Sequence, residues 1–193
     1  MKKLIPIILS GAFLFSGIAS CKQDAPKLDL VEGIGGDFTL TDQHGKAFNL
    51  KDLRGKIVLL FFGYTNCPDV CQITLGKYGV VNKKLGNVAD DVKVILVSVD
   101  WQRDNPERLK KYLDYFAYKP IGLTGTPDDI TKVARLYKAL FVKRLTGTGN
   151  GYLFDHSTAT FLIDKQGRTR HIFGQNDRPD TVINVINVLL KSG

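Results

Sequence analysis

Ile57-Val58-Leu59-Leu60-Phe61-Phe62-Gly63-Tyr64-Thr65-Asn66-Cys67-Pro68-Asp69-Val70-Cys71, residues 57–71, joins an uninterrupted apolar run to a cysteine pair. The six residues from Ile57 to Phe62 have the pattern of a strand buried on both faces. From Cys67 to about Leu85 the apolar residues fall at Val70, Ile73 or Leu75, Val80 or Val81, and Leu85, roughly a helical period. The cysteines are therefore expected where a strand runs into a helix. Side chains at i and i+4 of a helix share one face, with Cβ atoms about 5–6 Å apart. Unpaired amides and the positive end of the helix dipole favour thiolate over thiol there.

Outward from this corner, Val92 to Val99 reads as a second buried strand. Asn105-Pro106-Glu107 starts a helix to about Phe116, with Pro at the favoured first position, and Thr126-Pro127-Asp128-Asp129 starts another to about Leu140. Ser157 to Ile163 and Thr169 to Phe173 bracket a turn at Asp164-Lys165-Gln166-Gly167, and Pro179 to Lys191 closes the chain as an amphipathic helix. On the N-terminal side, Phe38-Thr39-Leu40 and Ala47-Phe48-Asn49-Leu50 flank a turn at His44-Gly45. The Gly-rich stretch Lys143 to Tyr152 reads as one long loop leading into Asp155-His156. Strands alternating with helices predict an α/β fold with a mainly parallel sheet covered on both faces. A strand entering a cysteine-bearing helix, a late hairpin and a final helix make the thioredoxin-like order. The expected fold is thioredoxin-like, with a central mixed sheet and an N-terminal β-hairpin extension.

The chain has 193 residues, 44% hydrophobic and 24% charged, enough for one globular domain and unlike a disordered, collagenous or disulfide-dense chain. Its ends are organised differently. Met1-Lys2-Lys3 precedes a largely apolar run from Leu4 to Ala19, sixteen residues broken by Pro6 and several Gly and Ser. Spanning a bilayer takes about 20 apolar residues, so this run reads as a signal peptide. Ile18-Ala19-Ser20-Cys21 resembles the lipobox of bacterial lipoproteins, which implies acylation of Cys21 as the mature first residue. The expected division is a signal peptide over 1–20, a polar tether over 21–32 and a domain over 33–193. Cleavage would leave 173 residues and, with Lys2 and Lys3 gone, lower the formal charge from +8 to +6. That charge is too modest to identify a partner. No basic run interleaved with aromatics suggests nucleic acid. The expected location is extracytoplasmic, anchored to a membrane and facing the periplasm, where disulfides are permitted.

Three chemistries fit Cys67 and Cys71. A structural disulfide would close a very short loop and remove little chain entropy. A thiol–disulfide oxidoreductase of this fold usually carries two residues between its cysteines and a proline before the facing strand. Here three residues intervene and His156-Ser157-Thr158 stands where that proline would be. A metal site is the third: two thiolates on one face plus the imidazole of His156, brought beside the corner by the fold. Soft sulfur selects copper(I), and imidazole keeps copper(II) acceptable. Zinc favours a fourth ligand, and neither His44, in a hairpin turn, nor His171, on a late strand, is suitably placed. Asp69 carries a carboxylate to the helix N-terminus, and Asp155 is placed to orient the imidazole or extend the coordination.

Gly-Gly-Asp-Phe-Thr-Leu-Thr-Asp at 35–42, Gly63 to Cys71, Val99-Asp100 with Arg103-Asp104-Asn105-Pro106-Glu107-Arg108-Leu109, and Asp155-His156-Ser157 together resemble the Sco/SenC family over nearly the whole mature chain. The resemblance implies a membrane-tethered, thioredoxin-like copper protein with Cys67, Cys71 and His156 as ligands. It also implies a role in assembling the dinuclear copper centre in subunit II of cytochrome c oxidase, by copper delivery or by reduction of that subunit's cysteines. Some bacterial members are linked instead to oxidative-stress defence. The family usually has proline after the second cysteine; here Gln72 stands. For the anchor, metabolic labelling with a radioactive fatty acid is expected to mark the wild-type protein and to be lost in Cys21→Ser. Label retained by the variant would place the lipid elsewhere.

Overall fold

Every residue from Ile57 to Gly63 is buried, and their side chains alternate between two hydrophobic cores. Val58, Leu60 and Phe62 enter one core, and Ile57, Leu59 and Phe61 the other. That is the period-two geometry of a strand covered on both faces. The computed structural model describes residues 28–147 and 151–191. Cys21, the signal segment and most of the tether lie outside the described residues.

In chain order the elements are β1 (Thr39–Asp42), β2 (Ala47–Asn49), β3 (Ile57–Gly63), α1 (Val70–Leu85), β4 (Val92–Ser98), α2 (Pro106–Leu113), β5 (Ile121–Thr124) and α3 (Pro127–Leu136). They continue as β6 (Phe141–Leu145), β7 (Tyr152–His156), β8 (Thr160–Ile163), β9 (Thr169–Phe173) and α4 (Pro179–Lys191). Among the described residues seven strands form one sheet in the order β2-β1-β5-β4-β3-β8-β9. The centre, β5-β4-β3, is parallel, and β1, β2, β8 and β9 add antiparallel pairs. Helices α1, α2 and α4 contribute Leu75, Tyr78, Leu109, Leu113, Val182 and Ile186 to one core, whereas α3 contributes Ile130, Val133 and Ala134 to the other. The mixed thioredoxin-like sheet with helices on both faces is thus present, and the N-terminal hairpin extends it through the β1–β5 pairing.

Several local readings change. The strand β5 escapes the sequence pattern because Ile121-Gly122-Leu123-Thr124 is short and contains a glycine. The glycine admits helix α2 close to the strand: a Cβ at Gly122 would lie 2.5 Å from Leu113 Cδ1 and 3.3 Å from Leu109 Cβ, so those side chains would have to shift. Helix α3 ends at Leu136 rather than near Leu140, because Lys138 has φ +50°, a left-handed conformation that no α-helix continues through. Both α2 and α3 begin as expected. Asn105 Oδ1 accepts from Arg108 N at 2.8 Å, Thr126 Oγ1 accepts from Asp129 N at 3.2 Å, and proline follows each cap. Much of the stretch read as a Gly-rich loop is strand: Lys143 to Leu145 close β6 and Tyr152 opens β7, and the two pair antiparallel outside the main sheet. Within the segment read as tether, Val31 N donates to Thr169 O at 2.9 Å and Arg170 Nε donates to Asp29 O at 3.2 Å, seating residues 29–31 against β9. Among the described residues no helix is long and apolar enough to cross a membrane.

Leu60, fully buried at the middle of β3, is flanked by β4 and β8. Leu60→Ala is expected to cost about 2–5 kcal/mol of stability through lost transfer energy and a residual cavity. Urea unfolding would read this as a lower midpoint with unchanged slope.

Candidate metal and thiol centre

β3 delivers the cysteine turn. Gly63 closes the strand, Tyr64 follows it, and Cys67 N donates to Tyr64 O at 3.2 Å to form a tight turn. Helix α1 starts only at Val70, with Asp69 as its cap residue, so Cys67 stands before the helix and Cys71 is its second residue. The expected pair on one helical face is therefore a turn residue and a helix residue, converging because the turn folds Cys67 back. Cys71 is packed against the end of β3: a Cβ on Gly63 would lie 2.6 Å from its Sγ and 3.0 Å from Leu96 Cδ1. Only glycine leaves room for that sulfur. Asp69 makes no side-chain capping bond.

His156 reaches the thiols from the last position of β7, rather than from a loop leading into the following strand. Its Nε2 lies 3.8 Å from Cys67 Sγ and 3.6 Å from Cys71 Sγ. Its Nδ1 lies 3.0 Å from Ser157 O. A carbonyl only accepts, so Nδ1 carries the hydrogen and Nε2 is the nitrogen turned to sulfur. Asp155 does not orient the ring. Strand alternation sends its side chain the other way, where it is exposed and paired with Arg144. The Ser157 carbonyl takes that role. Cys67, Cys71 and His156 are, among the described residues, the one group of three or more His, Cys, Asp and Glu side chains placed to share a metal ion, with ligand atoms within 4.8 Å of one another. His44 lies on an exposed turn, and the His171 ring stacks edge-on to Phe173 at 4.6 Å.

The two sulfurs are electrostatically unequal. The Cys67 pKa is pulled down to about 4, first by the hydrogen bond from the Cys71 thiol and then, against the cost of burial, by His156 and the amides of Asp69 and Cys71. The Cys71 pKa is pushed up, because its proton serves that same hydrogen bond and burial disfavours a second thiolate. For His156, burial pulls the pKa down, but the bonds to Cys67 and the Ser157 carbonyl outweigh it and the net direction is up. Both cysteines are free thiols. Cys67 and His156 line a cleft of about 300 Å³ with Tyr64, Pro68, Asp69 and Phe154. Gln72, although next to Cys71, lines a separate depression with Tyr112, Tyr115 and Phe116.

The residues that brace this centre carry no sequence signal of a role. Asp104, fully buried, accepts from Thr65 N at 2.8 Å, Thr65 Oγ1 at 2.6 Å and Ser98 Oγ at 2.6 Å. Asp100, also buried, accepts from Tyr152 OH at 2.8 Å and pairs with Arg103. Tyr64 OH accepts from Phe154 N at 3.1 Å, and its ring meets His156 edge-on at 5.8 Å. The string 99–109 is legible as a motif, but burial of its carboxylates is a tertiary fact.

The SCO1/SenC family matches residues 27–191, and the chain belongs to that family. The SCO2-like protein of Rickettsia felis is 38% identical over 152 residues, covering 78% of this chain and 74% of its own. The structure of Bradyrhizobium japonicum ScoI with copper bound is 40% identical with a TM-score of 0.74, covering 81% of this chain and 99% of that one. A SCO1/SenC family lipoprotein from Bacillus anthracis is 28% identical with a TM-score of 0.72, covering 84% and 98%. The match spans between 59% and 74% of the length of the first curated relatives.

Alkylation reads the asymmetry of the thiols. With its pKa lowered to about 4, Cys67 is thiolate throughout the neutral range. Its reaction with iodoacetamide is expected to hold nearly constant from pH 8 to pH 6, where an ordinary thiol of pKa about 8.5 slows by roughly a hundredfold. Mass spectrometry is expected to find Cys67 modified before Cys71. A rate that follows an ordinary thiol titration would refute this arrangement.

Proposed function

We propose that this chain is an extracytoplasmic, membrane-tethered copper-binding protein that assists assembly of the dinuclear copper site of cytochrome c oxidase, with Cys67, Cys71 and His156 as the metal ligands. The observation that carries the reading is the convergence of two sulfurs and one ring nitrogen at 3.6 and 3.8 Å. Metal–sulfur bonds of about 2.3 Å and metal–nitrogen bonds of about 2.0–2.1 Å, opened at about 110–120°, put a sulfur and a nitrogen ligand about 3.6–3.8 Å apart. The donor set therefore fits a soft metal ion with little rearrangement. Family membership and the copper-bound relative from Bradyrhizobium support copper as that ion. The lipoprotein relative supports the tether at Cys21. Subunit II of the oxidase as client rests on the family resemblance.

In this reading copper is cargo. Cys67 is already ionised, Cys71 gives up its proton as metal arrives, and His156 offers Nε2 while the Ser157 carbonyl holds the ring. The sulfurs favour copper(I), and the imidazole extends the site to copper(II). The cleft opens at Cys67 and His156, so a client ligand meets those two before Cys71.

The inequality of the thiols favours a second reading on the same atoms, reduction of a client disulfide. The Cys67 thiolate attacks one client sulfur and the other leaves as thiolate. Cys71 then yields its proton and displaces the mixed disulfide, leaving a Cys67–Cys71 disulfide and a client reduced by two electrons. The two readings exclude each other at any one moment, because the disulfide consumes both sulfur ligands.

Titration of reduced protein with copper(I) and copper(II) separates them. Wild type is expected to bind one equivalent of either, and Cys67→Ala or Cys71→Ala to lose tight binding. His156→Ala is expected to lose copper(II) affinity more than copper(I), and oxidised protein to bind neither tightly. Unchanged copper binding in His156→Ala together with turnover of a disulfide substrate would leave the reductase reading standing alone.

A further inference from the structure

The hairpin β6–β7 carries His156 yet pairs with no strand of the main sheet among the described residues. An isolated two-stranded hairpin is at best marginally stable in water, so side-chain contacts decide where it sits. Besides those to Tyr64 and the two thiols, they run to one short turn, residues 100–104, between β4 and α2. Tyr152 OH donates to Asp100 Oδ1 at 2.8 Å, and Arg103 Nη1 donates to Tyr152 O at 3.2 Å. The Arg103 guanidinium lies over the Tyr152 ring at 3.7 Å and over the Tyr64 ring at 5.9 Å. Trp101 packs on Phe141 and Phe154 at 6.1 and 5.9 Å, and Lys143 Nζ donates to Gln102 Oε1 at 2.8 Å. The last residue of the turn faces the other half of the centre. Asp104 holds Thr65, two residues before Cys67, by both its amide and its hydroxyl.

We propose that the turn Asp100–Asp104 is a single positioning element that sets the distance between the thiol pair and the imidazole. Asp100 and Arg103 seat the histidine strand through Tyr152, and Asp104 seats the cysteine turn through Thr65. The physical case is over-determination. Asp100 and Asp104 are 1% and 0% exposed, and a buried carboxylate stripped of its partners costs far more than one hydrogen bond. Releasing its half of the site would cost each a hydrogen bond in a buried place, since Asp100 would keep only its contacts within the turn, to Arg103, and Asp104 only those to Ser98 and Arg108. Arg103 is held by Asp100 on one edge and by two aromatic faces, an arrangement suited to a planar guanidinium and not to an ammonium. Removing the Tyr152 hydroxyl deletes one strut and leaves both cores intact.

The inference rests on the copper reading of the triad, and a double-mutant cycle keeps the two distinguishable. Tyr152→Phe is expected to weaken copper(II) binding by about tenfold, as loss of a group that orients a metal ligand does. In a His156→Ala background the same change is expected to have no further effect. Arg103→Lys, with charge retained, is expected to resemble Tyr152→Phe. The copper(II) electron paramagnetic resonance signal of both variants is expected to shift toward that of His156→Ala. In metal-free protein, amide exchange at Phe154 and His156 is expected to quicken in Tyr152→Phe while Leu59 and Leu60 keep their protection. Additive losses in the cycle, or unchanged hairpin exchange, would overturn the positioning role. A wild-type protein that binds no copper would instead defeat the copper reading, and the exchange measurement would still decide the positioning claim.

Discussion

Burial of β3 on both faces is the constraint from which the rest of the molecule is built. A strand with apolar side chains above and below is held by two cores at once, while its backbone is paired with β4 on one side and β8 on the other. Its C-terminal end is thereby fixed against rotation, sliding and fraying. Gly63 and Tyr64 inherit that rigidity, and the turn to Cys67 begins from a fixed point. The close approach of Cys71 to Gly63 extends the same constraint into the helix: the sulfur fills the place a Cβ would take. A thiol anchored in this way is a structural member of the core as well as a reactive group. Its burial, more than its identity, separates its chemistry from that of Cys67.

Against this fixed half stands a half joined through side chains. His156 arrives on a strand whose only ladder among the described residues is with β6, and its strand is seated by aromatic packing, hydrogen bonds and the Asp100–Arg103 ion pair. The thiol half is thus set by the sheet and its two cores, and the imidazole half by contacts between side chains. In the proposed copper reading the two sulfurs would supply the attraction for a soft ion, and the imidazole a further ligand seated by the turn at 100–104.

The sequence was most legible where a periodic pattern coincided with deep burial. Ile57 to Phe62 and Val92 to Val99 declare themselves as covered strands, and capping residues with proline mark the starts of α2 and α3. The cysteine pair and His156 were legible as candidates because thiols and imidazole are chemically conspicuous. What was hidden depended on tertiary contact. The four residues of β5 are strand because β4 and β1 flank them, and the hairpin β6–β7 hides behind glycines that look like loop. Asp155 attracted a role by adjacency, yet adjacency in a strand sends neighbours to opposite faces. The group that does orient His156 is a backbone carbonyl, which no sequence pattern can single out. Asp100 and Asp104 were visible only as members of a motif, since nothing in their spacing announces that they are buried.

Access to the centre is directional, and this bears on both proposed chemistries. Cys71 is 1% exposed, its sulfur lodged against Gly63 at the end of β3, so the strand side of the pair is closed. The cleft lined by Cys67, Asp69, Phe154 and His156 lies on the opposite side. In that cleft the ionised sulfur is the accessible one, and the protonated sulfur lies deeper. An incoming disulfide therefore meets the nucleophile first and the resolving thiol second, the order that exchange requires. An incoming metal meets a charged ligand before the ligand that must lose a proton. The same depth gradient serves capture of an ion and attack on a disulfide. Which one occurs is set by what enters the cleft and by the oxidation state in which it finds the two sulfurs.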